Sequence, residues 1–351
     1  MTDASTESRE QIVTEAVRER RELVNEAIEE DLPITEPERL YEASRYLLDA
    51  GGKRLRPTVL LLVAEALADV EPYSEAYRKF PALDGTEVDI MAAAVSIETI
   101  QSFTLIHDDI MDDDDLRRGV PAVHRAYDTE TAILAGDTLY SKAFEILLDT
   151  DAKPARSVEA LDVLATTCTR ICEGQSLDVA FEERPDVNPD EYLEMIKNKT
   201  AVLYGAASTM PAVLLGADDE TTEALYRYGI DVGRAFQIQD DVLDLTVPSE
   251  KLGKQRGSDL VENKQTIITL HARKHGVDVD SLVETDDVDA VTEDEIDDAV
   301  AKLQDAGSID YAREKAETLV ERGKDHLDVL PDNEASDMLR QIADYLIERG
   351  Y

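Results

Sequence analysis

Apolar residues recur at helical spacing along almost the whole chain. Over 5–30 a polar background carries Ile12, Ala16, Leu23 and Ala27, four or seven apart, which predicts a first helix. Pro33 and Pro37 break that pattern, and a second helix follows over 39–50. Gly51 and Gly52 stop it by supplying positive φ, and Pro57 opens an apolar third helix over 58–68. Residues 71–86 read as a loop-like insertion. A long helix rich in Ala, Ile and Val spans 88–107. Further helices are predicted over 131–148, 157–182, 190–204, 206–216, 221–244 and 259–275, and closing ones over 296–304, 309–328 and 334–349. Between the two groups, 276–293 is strongly acidic with Val and Asp interleaved, a surface excursion. No series of period-two strands with turn signals is present, so the chain reads as all-α. No Pro/Gly/Ser linker divides it, and one domain over 1–351 is expected.

Two of the apolar helices run into carboxylates. The stretch LIHDDIMDDDDLRRG at 105–119 places Asp108, Asp109, Asp112, Asp113, Asp114 and Asp115 within eight residues, followed by Arg117 and Arg118. Such crowding opposes ordering unless a multivalent cation offsets it. Mg²⁺ takes oxygen ligands and is usually held by one or two carboxylates plus substrate phosphates. The stretch FQIQDDVLD at 236–244 repeats the form Asp-Asp-apolar-apolar-Asp with Asp240, Asp241 and Asp244. Residues four apart share a helix face, so Asp108 pairs with Asp112 and Asp240 with Asp244. If the two helices face each other, their carboxylates converge across a cavity. A third stretch, GGKRLRP at 51–57, sets Lys53, Arg54 and Arg56 at the head of a helix, where backbone donors and positive charge suit a phosphate.

Charge narrows the function classes. The chain has 351 residues, 78 acidic against 36 basic, and a formal net charge of −42. That excludes a general nucleic-acid binder and an anionic membrane surface. Lys supplies only 13 of the 36 cations, and the acidic excess suits solvation at high salt, where repulsion is screened. A halophilic source is expected. Cys168 and Cys172, four apart in a helical pattern, read as core positions rather than a metal clip. Without an apolar signal core near the N-terminus or a run of 18 apolar residues, a soluble cytoplasmic protein is expected.

The three stretches, together with GQSLD at 174–178, KT at 199–200 and the spaced lysines Lys254 and Lys264, resemble the trans-isoprenyl diphosphate synthases. This is the polyprenyl synthetase family, which includes archaeal farnesyl and geranylgeranyl diphosphate synthases. The matches keep the family's order and cover roughly residues 40 to 275. The resemblance implies the isoprenoid synthase fold, a helical bundle around a deep central cavity, usually as a homodimer. It implies condensation of isopentenyl diphosphate with an allylic diphosphate by ionisation, condensation and elimination, with two or more Mg²⁺ ions. By motif match Asp108 and Asp112 bind metal with Asp109 alongside, and Asp240 and Asp244 do so with Asp241 beside them. Lys53, Arg56, Gln101 and Arg118 are implied to hold isopentenyl diphosphate. Position 101 departs from family members that carry His there, though Gln still donates to a phosphate oxygen. Arg117, Lys199, Thr200, Gln237, Lys254 and Lys264 are implied to hold the allylic diphosphate, with Lys199 also counted as catalytic.

The chemistry fits these residue types. Breaking an allylic C–O bond needs no side-chain nucleophile, only stabilisation of charge developing on the leaving diphosphate and an apolar shield against water. His107 reads first as a helix-end packing residue, and His271 with His275 as surface. Family relatives limit chain growth with a bulky residue five before the first aspartate motif, here Phe103, with Thr104 next. Helical geometry alone sets Thr104 about 40° from Asp108 and Phe103 about 140° away. A twenty-carbon product, geranylgeranyl diphosphate, is expected, with the fifteen-carbon farnesyl and twenty-five-carbon geranylfarnesyl products as alternatives. A non-catalytic subunit of a heteromeric synthase is the reading of another class, and a terpene cyclase would lack the basic loop at 51–57.

Overall fold

The structure is a computed structural model. It describes residues 3–70, 77–182, 184, 186–249, 255–285, 287, 288 and 290–348, with side chains from Glu10 onward. The expected all-α class holds: β structure among the described residues is confined to two hairpins with strands two residues long. The residues fall into two compact units. The first comprises Met1–Cys168, Ala206–Tyr226 and Leu327–Gln341, and the second Thr169–Gly205, Arg227–His326 and Ile342–Tyr351.

The first unit begins with α1 (Asp3–Asp31), α2 (Glu38–Asp49) and α3 (Leu55–Ala68). Helix α3 is buried almost all round, because Val59, Leu60, Leu61, Leu62 and Val63 leave it no polar face. Its one carboxylate, Glu65, is buried and takes a hydrogen bond from Arg20 Nη2 at 2.5 Å, with both side chains 1% exposed. Part of the expected 71–86 loop is ordered differently. Strands β1 (Phe80–Pro81) and β2 (Glu87–Val88) pair antiparallel after a 3₁₀ turn at Tyr77–Lys79, while 71–76 lies outside the described residues.

Helix α4 (Ile90–Met111) is the spine of this unit. Asp89 caps it by accepting from the Ala92 amide at 2.9 Å. It extends one turn past the expected end at 107, so Asp108 and Asp109 ride its last turn and Asp112 is its C-cap. It is the one helix among the described residues long and apolar enough to cross a membrane, and 72% of that window is buried within the protein. Its partner is α6 (Thr129–Leu148), which follows strands β3 (Leu116–Arg117) and β4 (Val120–Pro121) and the one-turn α5 (Val123–Ala126). Small residues let α4 and α6 approach: a Cβ added at Gly136 of α6 would lie 2.3 Å from the His107 ring.

Helix α7 (Pro154–Glu182) contributes to both units and carries buried Cys168 and exposed Cys172, neither in a disulfide. In the second unit α8 (Pro189–Ile196) opens on Asn188 with a reciprocal bond from Glu191, then runs through a π turn at Lys197–Ala201 into α9 (Val202–Leu215), whose residues from Ala206 onward belong to the first unit. The expected break at 205 is absent. Helix α10 (Asp219–Thr246) carries the second aspartate cluster. The helix expected over 259–275 is two: α11 (Ser258–Val261) and α12 (Ile267–Lys274). Asn263 in the left-handed region ends the first, and Thr266 caps the second. Helices α13 (Glu293–Asp305) and α14 (Ser308–Asp325) pack with each other and with α12, and α15 (Glu334–Glu348) closes the chain. The acidic excursion is pinned from within: Val291 joins Val261 and Ile296 in a buried cluster, with Val283 and Val288 against it.

Candidate active site

In the first unit the basic loop joins α2 to α3, and the first aspartate cluster lies at the end of α4. Gly51 and Gly52 have φ of 99° and 139°, and Arg54, at 51°, also sits in the left-handed region as the N-cap of α3. The glycines turn the chain sharply enough to leave Lys53 exposed and Arg56 half-buried. Arg54 turns inward. It donates to Glu98 Oε1 at 2.5 Å, to the Leu48 carbonyl at 2.6 Å and to Asn25 Oδ1 at 2.9 Å. Arg118 reaches the same carboxylate at 3.3 Å and donates to the carbonyls of Leu47, at 3.0 Å, and Gly51. Burial lowers the Arg118 guanidinium and Glu98 opposes that shift. Gln101 lies half-buried one turn beyond Glu98 on α4.

The cluster itself splits. Asp108 is half-buried and Asp112 exposed, one turn apart, with the Asp112 amide donating to the Asp108 carbonyl at 2.9 Å. Asp109 is fully buried and takes Arg117 Nε at 2.6 Å. Burial pushes its carboxyl up to about 6, against the pull of Arg117. Arg117 also holds Asp114 at 2.7 Å, and Arg125 holds Asp113 at 2.8 Å and Asp115 at 2.7 Å. Three of the six aspartates are thus spent on ordering the loop. The turn Arg118–Gly119 between β3 and β4 has φ of 54° and 78°, the doubly left-handed conformation that closes a two-residue hairpin and sends Arg118 back toward Gly51. Phe103 stacks edge-on against His107 at 5.0 Å and Tyr140 at 5.3 Å. Thr104 is half-buried, its hydroxyl donating to the Gln101 carbonyl at 2.9 Å. His107 Nε2 lies 3.2 Å from the Ile133 carbonyl, a packing position.

In the second unit a pocket is lined by Asp178, Tyr192, Lys199, Thr200, Gln237, Asp241, Asp259 and Lys264. It gathers five of the expected residues. The π turn delivers Lys199 and Thr200 into it, a use common for such bulges. Lys199 donates to Asp178 Oδ2 at 2.5 Å. Close approach of α7 makes this possible: a Cβ at Gly174 would fall 2.1 Å from the Lys199 amide nitrogen. A chain of side chains follows. Thr200 donates to Gln237 Oε1 at 2.9 Å, Gln237 donates to Asp241 Oδ1 at 3.2 Å, and the Tyr192 hydroxyl donates to Asp241 Oδ2. Burial, reinforced by Asp259, holds the Asp241 carboxyl well above its usual range, with Tyr192 and Gln237 opposing. Asp240 is half-buried. Asp244 is 1% exposed and accepts from Ser258 Oγ at 3.0 Å and the Asp259 amide at 3.3 Å. Lys264 lies 2.8 Å from Glu262 and 3.8 Å from Asp259. Lys254 falls outside the described residues.

The donor set suits a hard cation. It offers carboxylates one turn apart in each cluster, and among the described residues no group of three or more His, Cys, Asp or Glu forms a closed cage. His271 stacks on His275 and Tyr311, and its Nδ1 lies 3.0 Å from Ser308 Oγ in α14.

The Polyprenyl synthetase family profile matches residues 37–303. The chain belongs to that family. It is a trans-isoprenyl diphosphate synthase, a short-chain prenyltransferase with the isoprenoid synthase fold. It is 71% identical to the geranylfarnesyl diphosphate synthase of Natronomonas pharaonis, over 97% of this chain and 98% of that one. It is 49% identical to the geranylgeranyl diphosphate synthase of Methanosarcina mazei, again over 97% and 98%. The solved geranylgeranyl pyrophosphate synthetase of Geoglobus acetivorans superposes with a TM-score of 0.84 at 46% identity, covering 95% of this chain and 99% of that one. Sequence reasoning missed Arg54 as an inward anchor, and also Glu98 and Tyr192, and it placed Asp178 only as the end of the GQSLD stretch without a partner. The pairing partners lie 21 to 49 residues away in sequence, so no local pattern signals them.

Proposed function

We propose that this synthase makes the twenty-five-carbon product, geranylfarnesyl diphosphate, from isopentenyl diphosphate and allylic diphosphates. The observation that carries this is the 71% identity to the Natronomonas pharaonis geranylfarnesyl diphosphate synthase over nearly both full lengths. The twenty-carbon product expected from the sequence becomes the second reading, favoured by the 49% and 46% identical relatives named for that product.

The chemistry follows from the residues. The allylic C–O bond breaks and its electron pair leaves with diphosphate. Lys199, Thr200, Gln237, Lys254 and Lys264 hold that diphosphate, with Arg117 from the first cluster. Lys53, Arg56, Gln101 and Arg118 hold isopentenyl diphosphate. Its double bond attacks the allylic cation, a carbon–carbon bond forms, and the released diphosphate takes the proton that is lost. Asp108, Asp112, Asp240 and Asp244 hold Mg²⁺, Asp244 from a position fixed by Ser258. Bound Mg²⁺ supplies charge neutralisation on the leaving diphosphate. Asp109 and Asp241 stand behind these ligands, and Phe103 and Thr104 take part in limiting product length. Ile133, Leu134, Tyr140 and Leu148 leave an exposed apolar face on α6 that suits a second copy in a homodimer. The highly acidic surface suits a salt-rich cytoplasm.

Chromatography of products from labelled isopentenyl diphosphate with each allylic primer, in high salt, tests the reading. A dominant twenty-five-carbon product is expected. A product stopped at twenty carbons with every primer would overturn it, and no elongation at all would point to a non-catalytic subunit.

A further inference from the structure

We propose that Glu98 and Arg54 are positioning residues that set the strength of isopentenyl diphosphate binding by clamping the basic loop 51–57 to the Arg117–Arg118 hairpin. The proposal rests on the reading that this loop holds isopentenyl diphosphate. Glu98 sits in the middle of α4, 3% exposed, where an unpaired carboxylate would be very costly. Two guanidiniums from separate loops converge on it, Arg54 at 2.5 Å and Arg118 at 3.3 Å.

Each guanidinium also grips backbone. Arg54 donates to the Leu48 carbonyl at 2.6 Å, and Arg118 to the carbonyls of Leu47, at 3.0 Å, and Gly51. Those carbonyls end α2 and begin the loop. One buried carboxylate therefore fixes the chain on both sides of Gly51 and Gly52, immediately before Lys53. The fit leaves no slack, since a Cβ at Gly52 would lie 2.9 Å from the Arg118 Cζ.

Backbone conformation adds a reason why the clamp must be held. Arg54 is a non-glycine residue at φ 51°, a conformation that persists only where its surroundings enforce it. Released from Glu98, residue 54 relaxes toward negative φ and rotates Lys53 and Arg56 on either side of it. Charge points the same way. One carboxylate against two guanidiniums leaves a net positive charge beside Lys53 and Arg56, facing an incoming anion. Glu98 keeps the two guanidiniums from repelling each other apart while leaving that surplus. It is buried and acts through the arginines, not on substrate.

The test is steady-state kinetics on Glu98→Gln, Lys53→Ala and the double variant, with thermal melts alongside. Glu98→Gln should raise the KM for isopentenyl diphosphate about tenfold and leave the allylic KM within about twofold. Added to Lys53→Ala, it should raise that KM by less than about threefold more, because a misplaced lysine and an absent one are nearly equivalent. If Lys53→Ala raises this KM and Glu98→Gln does not, the positioning role is refuted and the loop assignment stands. If Lys53→Ala leaves it unchanged, the loop assignment fails and the positioning role with it. Equal rises in both KM values with a fall in Tm would make Glu98 merely structural and overturn the proposal. Should Glu98→Gln not fold, Arg54→Lys decides on the same thresholds, since it keeps the charge but cannot fork between Glu98 and the Leu48 carbonyl.

Discussion

DDIMD at 108–112 and DDVLD at 240–244 have one form and two surroundings. The first sits at a helix end, with Asp108 half-buried and Asp112 exposed. The second lies inside α10, with Asp244 buried under Ser258. Their middle aspartates diverge most. Asp109 is answered by a charge, Arg117, whereas Asp241 is answered by the neutral groups of Tyr192 and Gln237. In the first copy only the second carboxylate, Asp109, is fully turned into the protein, whereas in the second copy Asp241 and Asp244 are both buried. A repeated motif therefore need not mean repeated roles residue by residue. The first cluster is ordered by ion pairs and is open, and the second is ordered by a hydrogen-bond chain and is closed.

The comparison can be broken by experiment. The largest effect is expected at an outer position. Asp108→Ala should cut Mg²⁺-dependent turnover by about a thousandfold or more, the scale of losing several kcal/mol of charge stabilisation. Comparable losses from Asp108→Ala and Asp241→Asn, measured as kcat, would erase the distinction between outer and middle carboxylates. Asp241→Asn should cost about ten- to a hundredfold in kcat/KM for the allylic substrate, as loss of a residue that orients others does. Tyr192→Phe removes one hydroxyl from the chain Thr200–Gln237–Asp241–Tyr192 and should raise the allylic KM about three- to tenfold, with the isopentenyl KM unmoved. Effects on both substrates alike would place Tyr192 in general packing.

The smallest effect is a pH dependence. Asp109 is pushed from an ordinary value of 3.8 up to about 6 in the folded chain. Between those values the folded state binds more protons than the unfolded one, so ionising Asp109 costs stability as the pH rises through that window. Asp109→Asn removes the titration. In metal-free buffer its Tm relative to wild type should climb by about 2–4 °C between pH 4 and pH 7, whatever the offset from losing the Arg117 pair. A difference that stays level with pH would mean that Asp109 is not desolvated.

How much of this was legible follows from the range of each signal. Helices α2, α4, α6 and α10 were visible because apolar periodicity is a local property, and so was the all-α class. The end of α4 lies a turn beyond the expected one, at Met111 against 107, because the polar run that opens at His107 still continues the backbone hydrogen-bond ladder as far as the Asp112 amide. The two-residue strands carry no alternation to detect, and the π turn at Lys197–Ala201 differs from its flanking helices only in hydrogen-bond register. The motif residues were legible as types and spacings. Their division of labour was not: Asp109 with Arg117 is short-range, but Glu98 with Arg54 spans 44 positions and Tyr192 with Asp241 spans 49. Those pairings are products of packing.

The two cysteines give the chain a practical asymmetry. Cys168 is shielded and Cys172 faces solvent, two residues before the glycine against which the Lys199 backbone rests. A maleimide dye or spin label would therefore attach at one position without prior mutagenesis. Sitting one turn of α7 from Gln175, it would report in real time whether that segment shifts as each diphosphate is added.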